Sequence, residues 1–161
     1  MSDDRDPVRT VAELAKDIRI AMVTTHDGQG RLVSRPMAQQ EVEFDGDLWF
    51  FAERDSSAVT EVGADPRVNV ALSSATTWIS LSGTAEVVED RAKAKELWNA
   101  WVGAWLPQGP DDPSVVLLRF RAESAEYWDT PGGRVASALS FVKAKVTGRR
   151  YEGGENETVR L

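Results

Sequence analysis

The sequence predicts a mainly β fold, in which six antiparallel strands form one small barrel with helices packed around it. Three observations support this prediction. Short apolar segments recur along the chain, separated by glycine, proline and aspartate. Two glycine-containing segments, at 26–30 and 45–46, have the composition of hairpin turns. Gly83 interrupts a long strand pattern, as at a bulge or a barrel corner, and such a corner lets a sheet close.

The first part of the chain is predicted to contain one helix and three neighbouring strands. Pro7 suits the first position of a helix, and apolar residues follow it at helical spacing as far as position 18. Pro36 cannot donate a hydrogen bond to a neighbouring strand, so it indicates a sheet edge or a bulge. We expect antiparallel strands at 20–25, at 31–39 with a continuation over 42–44, and at 47–52.

The rest of the chain alternates helices and strands. A helix is predicted over 56–64, followed by strands at 68–72 and 77–89. One helix is then expected from 91 to about 105, because apolar side chains recur on one face at Leu97, Trp98, Trp101, Val102 and Trp105. The last strand is expected over 115–120 and 125–128, with an interruption near 121–123. We expect a C-terminal helix over 135–146, a flexible tail at 151–161 and a single domain over 1–150 with its core at 8–131.

Composition narrows the classes of function. The 161 residues include 26 acidic and 19 basic side chains, for a net charge of −7, so neither nucleic acid nor an anionic membrane is an expected partner. The chain has no cysteine, which excludes disulfides and thiol catalysis. His26 is the single histidine and lies in a predicted turn, so no histidine-centred metal site is expected. The acidic start lacks the pattern of a signal peptide, and we expect a cytoplasmic protein.

One cluster of motifs has the chemistry of an anion-and-ring site. A strand arginine, Arg35, can bind a phosphate through two parallel hydrogen bonds, and Ser56 and Ser57 open a helix whose free N–H groups suit the same anion. Phe50 and Phe51 lie on the strand between them and point to opposite faces, so one of them at most can contact a ring. Taken alone, the same residues also suit an exposed arginine, barrel-filling aromatics and an ordinary N-cap.

Several segments occur in the order typical of a known family. The chain resembles the pyridoxamine 5′-phosphate oxidase-like FMN-binding split barrels, and specifically their general stress protein branch. The matching segments are Ser34-Arg35-Pro36-Met37, Asp45-Gly46-Asp47-Leu48-Trp49-Phe50-Phe51, Asp65-Pro66-Arg67-Val68-Asn69-Val70, Ile79-Ser80-Leu81-Ser82-Gly83, Glu96-Leu97-Trp98-Asn99 and Glu126-Tyr127-Trp128-Asp129-Thr130-Pro131-Gly132-Gly133.

The resemblance implies a six-stranded antiparallel split β-barrel and a homodimer that binds FMN at the subunit boundary. It implies that Arg35, Ser56 and Ser57 bind the FMN phosphate and that the Phe50 and Phe51 strand lines the ring. Trp105 is the tryptophan of the 91–105 helix that lies nearest the following loop and can reach the flavin. The candidate cofactor-binding residues are Arg35, Pro36, Met37, Phe50, Phe51, Ser56, Ser57 and Trp105.

The chain departs from the family pattern at one point. Ser57 and Ala58 stand where the family commonly has a basic pair, so one or two phosphate cations are missing unless Arg54 compensates. A lost charge-assisted hydrogen bond of about 1.5–3 kcal/mol predicts FMN affinity weaker by about one to two orders of magnitude.

Two functions from different classes remain open. The first is an FMN-dependent oxidoreductase, with a reduced nicotinamide as a candidate electron donor. The second is a non-catalytic flavin-binding or cofactor-free dimeric stress protein. A deazaflavin cofactor ranks below FMN, because its longer anionic tail would require more basic residues.

Overall fold

The computed structural model of the protein describes residues 7–40, 44–130 and 155–161. These residues form a mainly antiparallel sheet with short helices, as the sequence predicts. The C-terminal helix expected over 135–146 lies outside the described residues. The helices are α1 (Pro7–Ala15), α2 (Ser57–Ala64), α3 (Arg91–Leu97) and α4 (Ala100–Trp105), and the strands are β1 (Ile20–His26), β2 (Leu32–Ala38), β3 (Asp47–Glu53), β4 (Arg67–Ser73), β5 (Thr77–Val88), β6 (Val115–Asp129) and β7 (Glu155–Arg160).

The order of strands in the sheet differs from a simple meander. It runs β2-β1-β4-β5-β6-β3, so β3 pairs with β6 and not with β2. Between β2 and β3 there is one isolated bridge, which joins Gln39 to Phe50. The two edges of the sheet therefore approach each other without forming a continuous ladder, which is the split-barrel architecture that the sequence predicts.

Strand β6 is continuous and pairs with three other strands. Its first half pairs with β3 and its second half with β7, while β5 runs along its other edge. The interruption expected near 121–123 is a bulge in the pairing opposite Gly83, and not a break in the strand. Residues 155–160, expected from the sequence to belong to a flexible tail, form the seventh strand, β7, because β6 extends far enough beyond β3 to offer them a free edge.

Gly83 makes this bend possible. A Cβ atom placed on Gly83 would lie 1.9 Å from the backbone oxygen of Arg121, a distance that no side chain can occupy. The absence of a side chain therefore lets β5 and β6 come together where the register shifts. The prediction of a bulge at this position is confirmed.

The predicted helix from 91 to about 105 is wrong in one respect, because it is two helices. Trp98 adopts an extended backbone, and the side chain of Asn99 accepts a hydrogen bond from Val102 N, which starts α4 as a new helix. The apolar stripe is broken accordingly: Val102 is buried, whereas Trp101 and Trp105 are exposed. A side chain that caps a helix outweighed the periodicity of the apolar residues.

The main core fills the space enclosed by the curved sheet. Its largest buried side chains include Phe50, Leu72, Ile79, Leu81 and Phe120. Helix α1 covers the core with Val11 and Ala15, and helix α2 covers it with Ala58 and Val62. Because two of its residues are anchored in this core, α2 has a fixed position beside the sheet, which matters for the site described next.

Candidate functional site

Half of the candidate residues line one groove. Pro36 and Met37 from β2, Phe51 from β3 and Trp105 from α4 surround a groove of about 310 Å³. We call it the apolar groove, because none of the described side chains that line it is ionisable; the others are Ile20, Ala38, Gln40, Trp101 and Val102. The structure thus brings the consecutive strands β2 and β3 together with α4, which comes much later in the sequence.

Aromatic side chains form one wall and the rim of the apolar groove. The ring of Phe51 meets that of Trp98 edge to face, with centroids 5.3 Å apart and an interplanar angle of 86°. Trp105 is 74% exposed and Trp101 is 48% exposed, so both indoles present faces to an incoming molecule. Phe50 points to the opposite side of β3 and is only 1% exposed, so its side chain belongs to the core and not to the groove.

A pair of polar side chains holds α4 beside the groove. Asn99 Nδ2 donates to Gln40 Oε1 at 3.1 Å, and Gln40 Nε2 donates to the backbone oxygen of Ala38 at 3.2 Å. Gln40 is buried, and Asn99 also caps α4. This link between the segment after β2 and the N-cap of α4 was not predicted from the sequence, because 59 positions separate the two residues and no local pattern pairs them.

Arg35 is not free in the structure. Its Nη1 donates to Thr25 Oγ1 at 2.7 Å, and its Nη2 donates to Glu61 Oε2 at 2.6 Å. Thr25 Oγ1 donates in turn to the same Glu61 oxygen at 2.5 Å. We call these three residues the Arg35 cluster. Its members come from β2, β1 and α2, and the side chains of Arg35 and Glu61 are 19% and 13% exposed.

The start of α2 has an ordinary cap. Ser56 Oγ accepts from Val59 N at 3.5 Å, and Ser57 is exposed. Ala58 is 5% exposed and packs in the main core, at the position where the family commonly has a basic residue. The position is therefore occupied by a core contact in this chain.

Arg54 does not replace the missing cation. Its Nε donates to the backbone oxygen of Pro113 at 3.0 Å, and its Nη1 forms an ion pair with Glu89. Both partners lie outside the Arg35 cluster and the apolar groove, so the Arg54 guanidinium is bonded to neither site.

His26 is the last residue of β1 and not a solvated turn residue. Its Nδ1 lies 3.5 Å from Asp65 Oδ2, and its side chain is 28% exposed. It lines neither the apolar groove nor the Arg35 cluster. Among residues 7–40, 44–130 and 155–161, no group of three or more His, Cys, Asp or Glu side chains has an arrangement that could hold a metal ion.

A larger groove, of about 830 Å³, lies between α1 and the segment around Gln39 and Leu48. None of the eight candidate residues lines it. Size alone therefore does not make it the candidate site.

Comparison with known proteins places these features in a family. The family model described as pyridoxamine 5′-phosphate oxidase like matches residues 6–152, which is most of the chain. The chain belongs to the pyridoxamine 5′-phosphate oxidase-like family. This confirms the resemblance that the sequence motifs indicate.

Relatives of this family cover most of the chain. Protein bli-3 of Neurospora crassa is 30% identical over 143 residues, which are 81% of this chain and 68% of that protein. A crystal structure of a candidate general stress protein 26 from Jannaschia sp. CCS1 has a TM-score of 0.77 and 29% identity, and the match covers 95% of this chain and 97% of that one. The general stress FMN/FAD binding protein of Xanthomonas citri has a TM-score of 0.66 and 32% identity, with coverage of 76% and 87%.

The helices were also compared with the requirements of a membrane span. Among the described residues, no helix combines the length and the apolar character needed to cross a lipid bilayer.

Proposed function

We propose that this protein binds FMN in the apolar groove, with the cofactor phosphate directed toward Arg35, and acts as a flavin-dependent oxidoreductase of the general stress type. The observation that carries the proposal is the convergence of Pro36, Met37, Phe51 and Trp105 on one groove. These four residues are among the eight candidate cofactor contacts named from the sequence.

The groove has the chemistry that a flavin ring requires. A planar heteroaromatic ring is bound mainly by apolar and aromatic contact with a few polar groups, and the groove supplies Phe51, Trp105 and the amide of Gln40. Arg35 would supply the positive charge that the FMN phosphate requires, although its guanidinium is already paired with Glu61. The lining residues therefore suit the ring, and Arg35 suits the phosphate only in part.

A relative supports the same assignment. The Xanthomonas citri protein, 32% identical to this chain, is named as a general stress FMN/FAD binding protein. When bound, FMN supplies the ability to accept and donate electrons or hydride. This chain would then contribute binding, orientation and exclusion of water. The described residues that line the groove include no acid or base.

A second candidate is a flavin-binding or cofactor-free stress protein without catalytic activity. Two observations favour it: Glu61 is bonded to Arg35, and Ala58 is buried where a basic residue is common in the family. Both reduce the attraction of the site for a phosphate. The two candidates differ in what they predict for turnover.

The outer face of the sheet supports a homodimer. Ile20, Met22, Leu32, Trp78 and Trp128 are large apolar side chains that are between 37% and 71% exposed. Ile20 and Met22 alternate with buried positions on β1, and Leu32 pairs with His26 on the same face, so all three lie on the face that turns away from the core. A second copy of the chain is the proposed occupant of this face, and light scattering after size exclusion should give twice the monomer mass.

The proposed function is tested by titrating the purified protein with FMN and, in parallel, with riboflavin, while following quenching of flavin fluorescence. We expect both to bind and FMN to bind more tightly. The FMN-loaded protein is then mixed with NADH or NADPH, and their oxidation is followed by absorbance. Binding with turnover supports the oxidoreductase, binding without turnover supports the non-catalytic flavin protein, and no binding of either flavin contradicts both.

A further inference from the structure

Glu61 is the acidic partner of the arginine that is proposed to bind the cofactor phosphate. Its carboxylate lies 2.6 Å from Arg35 Nη2 and accepts a second hydrogen bond from Thr25. Both members of the ion pair are mostly buried, at 19% and 13% side-chain exposure. An ion pair in this position is screened by water and salt much less than a surface pair.

We propose that Glu61 competes with the cofactor phosphate for Arg35 and thereby sets how strongly this chain prefers FMN over a flavin without phosphate. The proposal rests on the proposed function. Two N–H groups of the guanidinium already donate within the cluster, one to Thr25 and one to Glu61. A phosphate that approaches Arg35 would meet a cation whose charge is compensated, next to an anion of its own sign.

Among the described residues, the two arginines nearest α2 in sequence are already paired with other groups. Arg54 is bonded to Pro113 and Glu89, and Arg67, the other arginine close to α2 in sequence, is bonded to Asp65. Ala58 contributes only a buried methyl group. In the part of the chain that the structure describes, the charge state of Glu61 therefore has a large influence on the electrostatics at Arg35.

The substitution Glu61→Gln separates charge from shape. The glutamine has the same length, and its amide oxygen can still accept from Thr25 and Arg35, so the cluster keeps its hydrogen bonds but loses its negative charge. We expect the affinity for FMN to rise about tenfold, because the compensating charge is removed from the guanidinium. The affinity for riboflavin should stay unchanged, since riboflavin has no phosphate.

Two matched controls accompany this variant. Asp65→Asn removes a carboxylate four residues further along the chain, from a pair with Arg67 at 2.6 Å, without touching Arg35. It should leave both flavin affinities unchanged. Arg35→Gln combined with Glu61→Gln should show no gain over Arg35→Gln alone, because the competitor acts only through Arg35. Melting temperatures are recorded for all variants, and Glu61→Met serves as a second neutral substitution if Glu61→Gln is too unstable to titrate.

The outcomes separate the inference from the function on which it rests. The inference is supported if Glu61→Gln binds FMN more tightly than wild type, binds riboflavin equally, and loses the gain for FMN when Arg35 is also replaced. Equal FMN affinity in wild type and variant, with both flavins binding, overturns the inference but leaves the proposed function in place. Weaker FMN binding in Glu61→Gln also overturns it, since Glu61 would then position Arg35 for the phosphate. If neither flavin binds to any variant, the proposed function fails as well.

Discussion

The apolar groove and the Arg35 cluster both draw on strand β2 but differ in how ready they are for a ligand. The groove is lined by aromatic and aliphatic side chains with no ionisable group among its described residues, so a ring can enter without displacing a partner. In the cluster, Arg35 already donates to Glu61 at 2.6 Å, so a phosphate must compete with a carboxylate. Under the proposed function, we therefore expect ring contacts to contribute more to flavin affinity in this chain than phosphate contacts do.

The largest expected effect is at the groove. Phe51→Ala removes one wall and the edge-to-face contact with Trp98 at 5.3 Å. Because ring contacts are common to both ligands, the affinities for FMN and riboflavin should fall together, by about tenfold or more, and stability should fall by about 2 kcal/mol. Fluorescence titration and denaturant unfolding measure the two effects.

Phe50→Leu is the matched control for Phe51. Phe50 is the preceding residue on β3 but is buried in the core, so its substitution should lower stability while leaving both flavin affinities nearly unchanged. Loss of FMN affinity alone in Phe51→Ala would contradict the assignment of the groove to the ring.

A smaller effect is expected at the cluster. Arg35→Gln should weaken FMN binding about three- to tenfold and leave riboflavin binding unchanged, which is less than the loss of an unpaired arginine would cause. The melting temperature should also fall, because Glu61 is left mostly buried without its cation. A loss of FMN affinity greater than about a hundredfold would contradict this expectation, because phosphate contacts would then contribute more to FMN affinity than ring contacts do.

The groove was more predictable from the sequence than the cluster, for a physical reason. Strand alternation sends Phe50 and Phe51 to opposite faces, and this local rule already implies that only one can contact a ring. The partner of Arg35 follows from no local rule. Glu61 lies 26 positions away on α2, whose place beside β2 depends on the burial of Ala58 and Val62 in the core.

The same distinction applies to the fold. The corner at Gly83 was predictable because a glycine inside a strand usually marks a bulge or a close backbone approach, and the Arg121 backbone makes that approach here. The pairing of β3 with β6 was not predicted, since it joins segments about 70 residues apart and no turn specifies it. The division of the 91–105 helix depended on Asn99, whose capping side chain is a weaker signal than a run of apolar residues.

The link between Asn99 and Gln40 gives the next prediction. Asn99→Ala removes both the cap of α4 and the hydrogen bond to Gln40, and it should reduce stability by about 1 kcal/mol. Since α4 contributes Trp105 to the groove, both flavin affinities should fall severalfold. Asn99→Ser keeps a capping oxygen on a side chain too short to reach Gln40, and it therefore separates the two roles. Unchanged binding in both variants would show that the position of α4 does not matter for the ligand.

The smallest expected effect is at the ion pair of Asp65 and Arg67, which is more exposed than the pair of Arg35 and Glu61. The Arg67 guanidinium, hydrogen-bonded to Asp65, holds the pKa of that carboxyl well below its usual range. A pKa that is lower in the folded state than in the unfolded chain stabilises the fold at pH values above about 4, and this contribution is lost as the pH falls further. Asp65→Asn should therefore make stability less sensitive to acid below about pH 4, measured by denaturant unfolding at several pH values.

The flavin affinities of Asp65→Asn should not differ from those of the wild type. If Asp65→Asn raised FMN affinity as much as Glu61→Gln does, the general negative charge around α2, and not the contact between Glu61 and Arg35, would control the phosphate end.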